Sequence, residues 1–222
     1  MKKAKLRYIP LLNSCPLFLP DNVKCKKIAE IRKEYNWRKI FVNIPYSKTY
    51  RPFESAICAV LTSYHLKPIV VKNIYTGRTR ICEICKNMLS CNYGITDIWY
   101  KSKNVPFELG FMTACGKFNI VFMRTRKNLS KQLSDIQYFD PRSHEGKAER
   151  LIMELSEKIP RITNKLRIKK INLNELLKTY NSVERLRKRL KYSVMDACLQ
   201  VTRYKELVKN RQLKQEILKN YG

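Results

Sequence analysis

The sequence is poor in several residue types on which common functional sites depend. Histidine occurs twice, as His65 and His144, and the two are isolated, so neither a histidine-based triad nor a histidine metal site is predicted. Glycine occurs six times and is missing from the loop after the first predicted strand, which argues against a backbone phosphate cradle there. No apolar run approaches the roughly 20 residues of a membrane-spanning helix. Prolines interrupt the short apolar patch within residues 1–20, so a cleaved signal peptide is not expected.

Acidic residues are also scarce relative to basic ones. The chain has 18 Asp and Glu against 46 Lys and Arg, a formal net charge of +28. Such an excess attracts polyanions, so nucleic acid or an acidic membrane surface becomes a candidate partner, with a Lys-rich composition bias as the alternative. The basic residues are spread along the chain, although residues 161–222 are denser, with 17 basic and 5 acidic residues. No Arg-Gly or aromatic-interleaved motif of an RNA-binding module is present.

Eight cysteines are spread over the chain, several of them inside apolar helical or strand patterns where a thiol behaves as a small hydrophobe. This usage favours a reducing compartment, and we expect a cytoplasmic protein. The tightest group is Cys82, Cys85 and Cys91, whose first pair has the spacing of half a zinc site. Cys85 fits the buried face of a predicted helix, so packing is favoured over zinc, and no cofactor is expected to be required.

Short apolar runs alternate with amphipathic segments along the middle of the chain. The runs predict strands at residues 39–44, 69–71, 93–99, 118–123 and 136–139. The segments between them predict helices at residues 53–64, 79–89, 105–115 and 143–158, the last ending near Pro160. This alternation indicates an α/β fold with a flavodoxin-like parallel sheet of about five strands and helices on both faces.

Three parts of the chain are predicted. Residues 1–38 form a basic lead-in with a short helix, residues 39–160 form the α/β domain, and residues 161–222 form a basic helical extension. The extension reads as two amphipathic helices with a break near Tyr192 and Ser193, whose apolar stripe must pack on the α/β domain, on each other or on a second copy. A homo-oligomer through these helices therefore stays open. A nucleic-acid contact is assigned to its basic run, with a solvated helix face as the alternative: Arg185, Arg187, Lys188, Arg189 and Lys191.

Polar residues cluster where three predicted elements meet. The first strand leads into Pro45, Tyr46 and Ser47, the third contains Asp97, and the next helix opens at Asn104 and contains Glu108. Because ligands of open parallel sheets bind beyond the carboxyl ends of the strands, we expect Asp97 and Glu108 to face one crevice. Structural alternatives exist: a helix cap for Asn104, a favourable dipole position for Glu108 and an Asx-turn for Asp97.

The residues of this cluster resemble the nucleoside 2-deoxyribosyltransferase-like and TIR-like group over about residues 39–159. The likeness consists of the strand Phe41–Tyr46, the segment Ile95–Asp97, the run Asn104–Gly110, and Gly116-Lys117 before an apolar strand. The resemblance implies that Glu108 is a catalytic glutamate, that Asp97 binds the ribose or assists the leaving base, and that Asn104 orients Glu108. Tyr46 would line the pocket beside Pro45 and Ser47. Trp99 and the lysine-rich loop before Asn104 depart from the pattern of the group.

The function predicted from these features is cleavage or transfer at an N-glycosidic bond. The ligand would be a nucleoside, a nucleotide or an NAD-like dinucleotide, with NAD as a substrate and not a cofactor. A carboxylate such as Glu108 can stabilise or trap the oxocarbenium-like centre that forms when this bond breaks. The alternative is a non-catalytic module that senses a nucleotide or binds nucleic acid.

Overall fold

The computed structural model describes residues 28–71, 77–98, 104–124, 142–162 and 170–221, together with Ser102. The strands are β1 (Lys39–Asn43), β2 (Lys67–Ile69), β3 (Tyr93–Ile98), β4 (Phe118–Met123) and β5 (Arg142–Ser143). The helices are α1 (Ile28–Glu34), α2 (Arg51–Ser63), α3 (Gly77–Ser90), α4 (Asn104–Ala114), α5 (Ala148–Ile162), α6 (Leu173–Arg189) and α7 (Val194–Tyr221). A 3-10 helix, Lys48–Tyr50, precedes α2.

The five strands form one parallel sheet in the order β2-β1-β3-β4-β5. This is the strand order of flavodoxin-like folds, so the predicted fold class is confirmed. The central strands pair in register, with Asn43 opposite Thr96 and Asp97 opposite Phe122. Every residue of β3 after Tyr93 is buried, as expected for a strand covered on both faces.

Several predicted boundaries differ from the observed ones. β2 lies at residues 67–69 and not at 69–71, because Pro68 is tolerated within a strand at the sheet edge. α5 begins at Ala148 and runs past Pro160 to Ile162. The predicted strand at residues 136–139, Trp99 and most of the lead-in lie outside the described residues.

One compact unit of the chain comprises Met1–Pro45, Ile69–Met123 and Lys127–Pro141. In it, Phe41 of β1 packs with Cys85 and Met88 of α3 and with Met112 of α4. A second cluster joins β3 and β4 to α4 through Ile98, Val105, Leu109 and Val121. The sheet face that carries Phe41 and Ile98 is therefore the one covered by α3 and α4, and we refer to it as the α4 face.

The other compact unit comprises Tyr46–Pro68, Arg124–Arg126 and Arg142–Gly222. Its central helix is α2, whose residues from Phe53 to Leu61 are all buried and which contacts α5, α6 and α7. The predicted pair of C-terminal helices is confirmed, since α6 and α7 are separated by residues 190–193 and contact each other as well as α2. The unit therefore includes residues on both sides of the predicted boundary at residue 160.

Candidate active site at the β1 and β3 strand ends

The site is placed by the topology of the sheet. β1 is followed in sequence by β2 on one side of it, whereas β3 lies on its other side. The carboxyl ends of β1 and β3 are therefore the point where the strand order reverses, which is where flavodoxin-like folds bind their ligands. Asn43 is the last residue of β1, and its partner Thr96 lies two residues before the end of β3.

The side chain of Asn43 connects the carboxyl end of β1 to the first turn of α4. Its Nδ2 donates a hydrogen bond of 2.9 Å to the main-chain oxygen of Val105, in the first turn of α4. Asn43 and Thr96 both point to the α4 face, because Phe41 and Ile98 lie two residues from them on that face and strand side chains alternate. Both are buried almost completely. An asparagine in an otherwise apolar strand was visible in the sequence, but its role was not recognised there.

Glu108 lies on the flank of α4 that faces α3. The buried residues of α4 are Val105, Glu108, Leu109 and Met112. Phe111 follows Glu108 by three residues and therefore lies on the same side of the helix as Glu108. Phe111 packs against the cluster containing Cys85 and Met88 of α3. Glu108 is 7% exposed and sits in the second turn of the helix, beyond the first turn in which a carboxylate gains from the helix N-terminus, so the favourable dipole position expected from the sequence is not observed.

Asp97 points to the opposite side of the sheet. Its neighbours Thr96 and Ile98 are on the α4 face, so the pleat turns Asp97 away from α4, and it is fully buried. Asp97 and Glu108 therefore lie on different sides of the sheet and not in the single crevice that the sequence suggested. The polar residues that β1 and β3 turn to the α4 face near their carboxyl ends are Asn43 and Thr96.

The α4 face of the site offers mainly hydrogen-bond acceptors. The Oδ1 of Asn43 and the Oγ1 of Thr96 are buried and make no hydrogen bond with the residues that the structure describes. Buried polar atoms are normally satisfied, so such groups call for a partner. Together with the carboxylate of Glu108, they would suit a ligand that presents hydroxyl or N–H donors.

The remaining predicted pocket residues divide between the two units. Pro45 is buried in the first unit, where it follows β1, and Asn104 is exposed as the first residue of α4. Tyr46 and Ser47 belong to the second unit. Tyr46 is 41% exposed, and the hydroxyls of Ser47 and Thr49 form a hydrogen bond of 2.7 Å at the start of the 3-10 helix.

The Gly-Lys pair after α4 has a structural role in this fold. Gly116 adopts a left-handed conformation, with φ of 67°, and its N–H donates to the carbonyl of Thr113, which ends the helix. The Nζ of Lys117 donates to the carbonyl of Leu89 at 3.2 Å and lies over the ring of Tyr35. Burial lowers the pKa of Lys117. Lys117 therefore connects the end of α4 to α3, and these contacts give it a structural role.

The cysteine group behaves as part of the core. Cys85 and Cys91 are buried in the cluster with Phe41, and Cys82 is partly buried. Burial raises the pKa of the Cys91 thiol to about 12, which keeps it protonated at neutral pH. Within the described ranges, no group of three or more His, Cys, Asp or Glu side chains is placed to hold a metal ion.

The predicted nucleic-acid residues near the end of α6 differ in their surroundings. Arg185, Lys188, Arg189 and Lys191 are exposed. Arg187 is 15% exposed and makes two hydrogen bonds, of 2.8 and 2.7 Å, to the carboxylate of Glu184. Its charge is therefore engaged within the second unit.

Comparisons with known proteins give no match for this chain among protein-family models, curated proteins or solved structures. The resemblance to the nucleoside 2-deoxyribosyltransferase-like and TIR-like group therefore stays a prediction. None of the helices in the part of the chain that the structure describes is long and apolar enough to cross a bilayer.

Proposed function

We propose that the protein binds a nucleoside, a nucleotide or an NAD-like dinucleotide at the β1 and β3 strand ends and breaks its N-glycosidic bond. The observation that carries the proposal is the position of Glu108. Its carboxylate is buried on the α4 face, in the first two turns of a helix that starts directly beyond the sheet edge. The sequence resemblance also supports the proposal, because it implies that Glu108 is the catalytic glutamate.

The chemistry requires a carboxylate beside the anomeric carbon of the sugar. The C1′–N bond breaks with its electron pair leaving on the base nitrogen, and positive charge develops on the sugar ring. The base of a nucleoside or nucleotide takes up a proton as it leaves, whereas the nicotinamide of NAD leaves as a neutral molecule without one. The Glu108 carboxylate stabilises this charge or bonds to C1′, and water or an acceptor base then completes the bond at C1′. The acceptor atoms of Asn43 and Thr96 suit the hydroxyl donors of a ribose or deoxyribose.

The proposal gives Asp97 no contact with the ligand. Its side chain leaves β3 on the face away from α4, so Glu108 alone carries the role that the sequence divided between two carboxylates. This placement makes the two residues separable by mutation.

The test is release of free base from NAD and from a panel of nucleosides and deoxynucleotides, followed by chromatography. Glu108→Gln keeps the shape of the side chain and removes its charge, and we expect it to lower the rate at least about 100-fold. The matched control is Glu157→Gln, an exposed acid of α5 at which the same change should leave the rate unchanged.

Two results would count against the proposal. Base release that persists in Glu108→Gln would show that this carboxylate does not act on the bond. If the wild-type protein releases no base from any compound but binds one of them in calorimetry, the protein is a non-catalytic nucleotide sensor, and the enzymatic proposal is to be abandoned.

A further inference from the structure

The exposed side of α6 carries a continuous line of basic and small polar residues. The apolar side of this helix is buried through Leu176, Tyr180 and Val183, and α6 contacts α2, α5 and α7. Helical spacing places the exposed residues on the other side, three, four and seven positions apart. We name this line the α6 stripe, and it consists of Lys178, Asn181, Ser182, Arg185, Lys188 and Arg189.

Both acidic residues of α6 form ion pairs with basic side chains. Glu184 is 7% exposed and holds Arg187 in a two-bond ion pair. Glu175 forms an ion pair of 3.5 Å with Lys205 of α7. Lys188 is 70% exposed and lies 3.8 Å from Glu184, a distance at which an exposed pair constrains the lysine little. The four cations of the stripe therefore face solvent, and the exposed carboxylate on the same side of the helix is that of Glu175, whose side chain is 59% exposed one turn before Lys178.

A further exposed lysine, Lys191, follows two residues after the end of the helix. This residue has φ of 54°, the left-handed conformation that usually falls to glycine or asparagine after a helix. A lysine is strained there, whereas a glycine would not be. Lys191 is exposed, and it places a positive charge at a position whose backbone conformation favours glycine.

We propose that the α6 stripe binds the phosphodiester backbone of a nucleic acid without reading its sequence. The distance from Lys178 to Arg189 is eleven residues, or about 17 Å of helix. A duplex presents about ten phosphate charges over this length. The amide of Asn181 lies between the cations and can donate to phosphate or sugar oxygens, which are the usual contacts of such a surface.

A membrane surface fits the stripe less well. Helices that lie on membranes place an apolar face in the lipid beside the basic one. Leu176, Tyr180 and Val183 of α6 are already buried within the second unit, and the stripe itself contains no apolar residue. Leu190 and Tyr192, directly after the helix, are however exposed. An anionic lipid surface is therefore an outcome that the experiment must exclude.

The test is fluorescence anisotropy with labelled duplex DNA and single-stranded RNA of about 24 nucleotides, titrated at several salt concentrations. The variant neutralises the stripe through Lys178→Gln, Arg185→Gln, Lys188→Gln and Arg189→Gln. The matched control removes four exposed lysines elsewhere, through Lys33→Gln, Lys48→Gln, Lys67→Gln and Lys147→Gln. Both variants change the net charge equally, and circular dichroism checks that both fold.

The expected result is a steep salt dependence for the wild-type chain. If the stripe and Lys191 contact five phosphates, log K against log salt has a slope of about −4.5 for duplex DNA. Neutralising the four cations of the stripe removes four of these contacts. It lowers the magnitude of the slope by about 3.6 and weakens binding at least about 100-fold near 100 mM salt. The control should keep the wild-type slope.

Three results would overturn the proposal: equal loss in the stripe variant and the control, wild-type binding to neither nucleic acid at 50 mM salt, or stripe-dependent binding to phosphatidylserine vesicles without nucleic-acid binding. The proposal is independent of the glycosidic site. The stripe variant is expected to release base at the wild-type rate, and Glu108→Gln is expected to bind nucleic acid normally, so each proposal can fail alone.

Discussion

Replacement of Gly94 by alanine tests the packing beneath the candidate site. Gly94 lies in the middle of the sheet, opposite Phe41 on one side and Asn119 on the other. A Cβ atom at this position would lie 2.0 Å from the Oδ1 of Asn119 and 3.0 Å from the Cε of Met112 in α4. The glycine therefore provides the space into which the Asn119 side chain and α4 fit.

The expected change in the free energy of unfolding follows from the contacts that Asn119 loses when its side chain moves. Ordinary contact requires its oxygen to move by about 1.5 Å, and the side chain is buried. Its Nδ2 donates to the carbonyl of Lys117 at 3.2 Å, a bond that such a shift would break at a cost of about 1 kcal/mol. Overpacking adds about 1–3 kcal/mol, while replacing glycine recovers about 0.4–1 kcal/mol from the unfolded chain. We expect Gly94→Ala to lower the free energy of unfolding by about 2 kcal/mol.

Urea unfolding followed by circular dichroism measures this change. Gly110→Ala is the control, because a Cβ there meets nothing within 4 Å. In the interior of α4 it should stabilise by about 0.5–1 kcal/mol. The double variant Gly94→Ala, Asn119→Ala removes the obstacle and should recover more than 1 kcal/mol relative to the sum of the single changes. Additivity of the two changes within about 0.5 kcal/mol would refute the proposed clash.

Two further changes test the site and the α6 anchor. Asn43→Leu removes the hydrogen bond to Val105 and should lower the free energy of unfolding in urea by about 1 kcal/mol. We also expect base release to fall more than about tenfold, because α4 loses its attachment to β1. An unchanged rate of base release would contradict this role of Asn43. Burial would raise the pKa of Glu184, but the hydrogen bonds from Arg187 and Ser55 and the positive charges of Arg187 and Lys188 together leave this pKa below its ordinary value. The stabilisation is therefore present above the unfolded-state pKa and lost as pH falls through the folded value. Glu184→Gln should cost about 3 kcal/mol at pH 7 and less at pH 3, and an equal cost at both values would argue against the ion pair.

Most of the secondary structure could be predicted because its elements have clear periodicity. β4 was predicted at its observed bounds, since residues 118–123 form an isolated apolar run. The break between α6 and α7 was also found, because the helical spacing of their apolar residues is interrupted there. β2 was displaced by two residues, because Pro68 was taken as the residue before the strand, although an edge strand can contain proline.

The sequence did not show which of the site residues lie on the α4 face of the sheet. A strand reveals which residues share a face when apolar and polar residues alternate. β3 is buried on both faces, so Thr96, Asp97 and Ile98 carry no such alternation. The faces became clear from the register with β1 and from the helix that covers Ile98. Sequence reasoning placed Glu108 and Asp97 in one crevice at this end of the sheet, whereas the structure turns Asp97 to the face away from α4, the helix that carries Glu108.

The composition of the second unit has a consequence for synthesis of the chain. α2 is made early, but α6 and α7, which cover it, begin 110 and 131 residues after its last residue, Ser63. At about 5–20 residues per second, the apolar surface of α2 waits roughly 5–25 seconds for these partners. A nascent chain halted before Leu173 already contains α5 but leaves exposed the side of α2 that α6 and α7 cover, and apolar surface of this kind is what chaperones bind. C-terminal truncation would accordingly produce an aggregating fragment and not a smaller working protein.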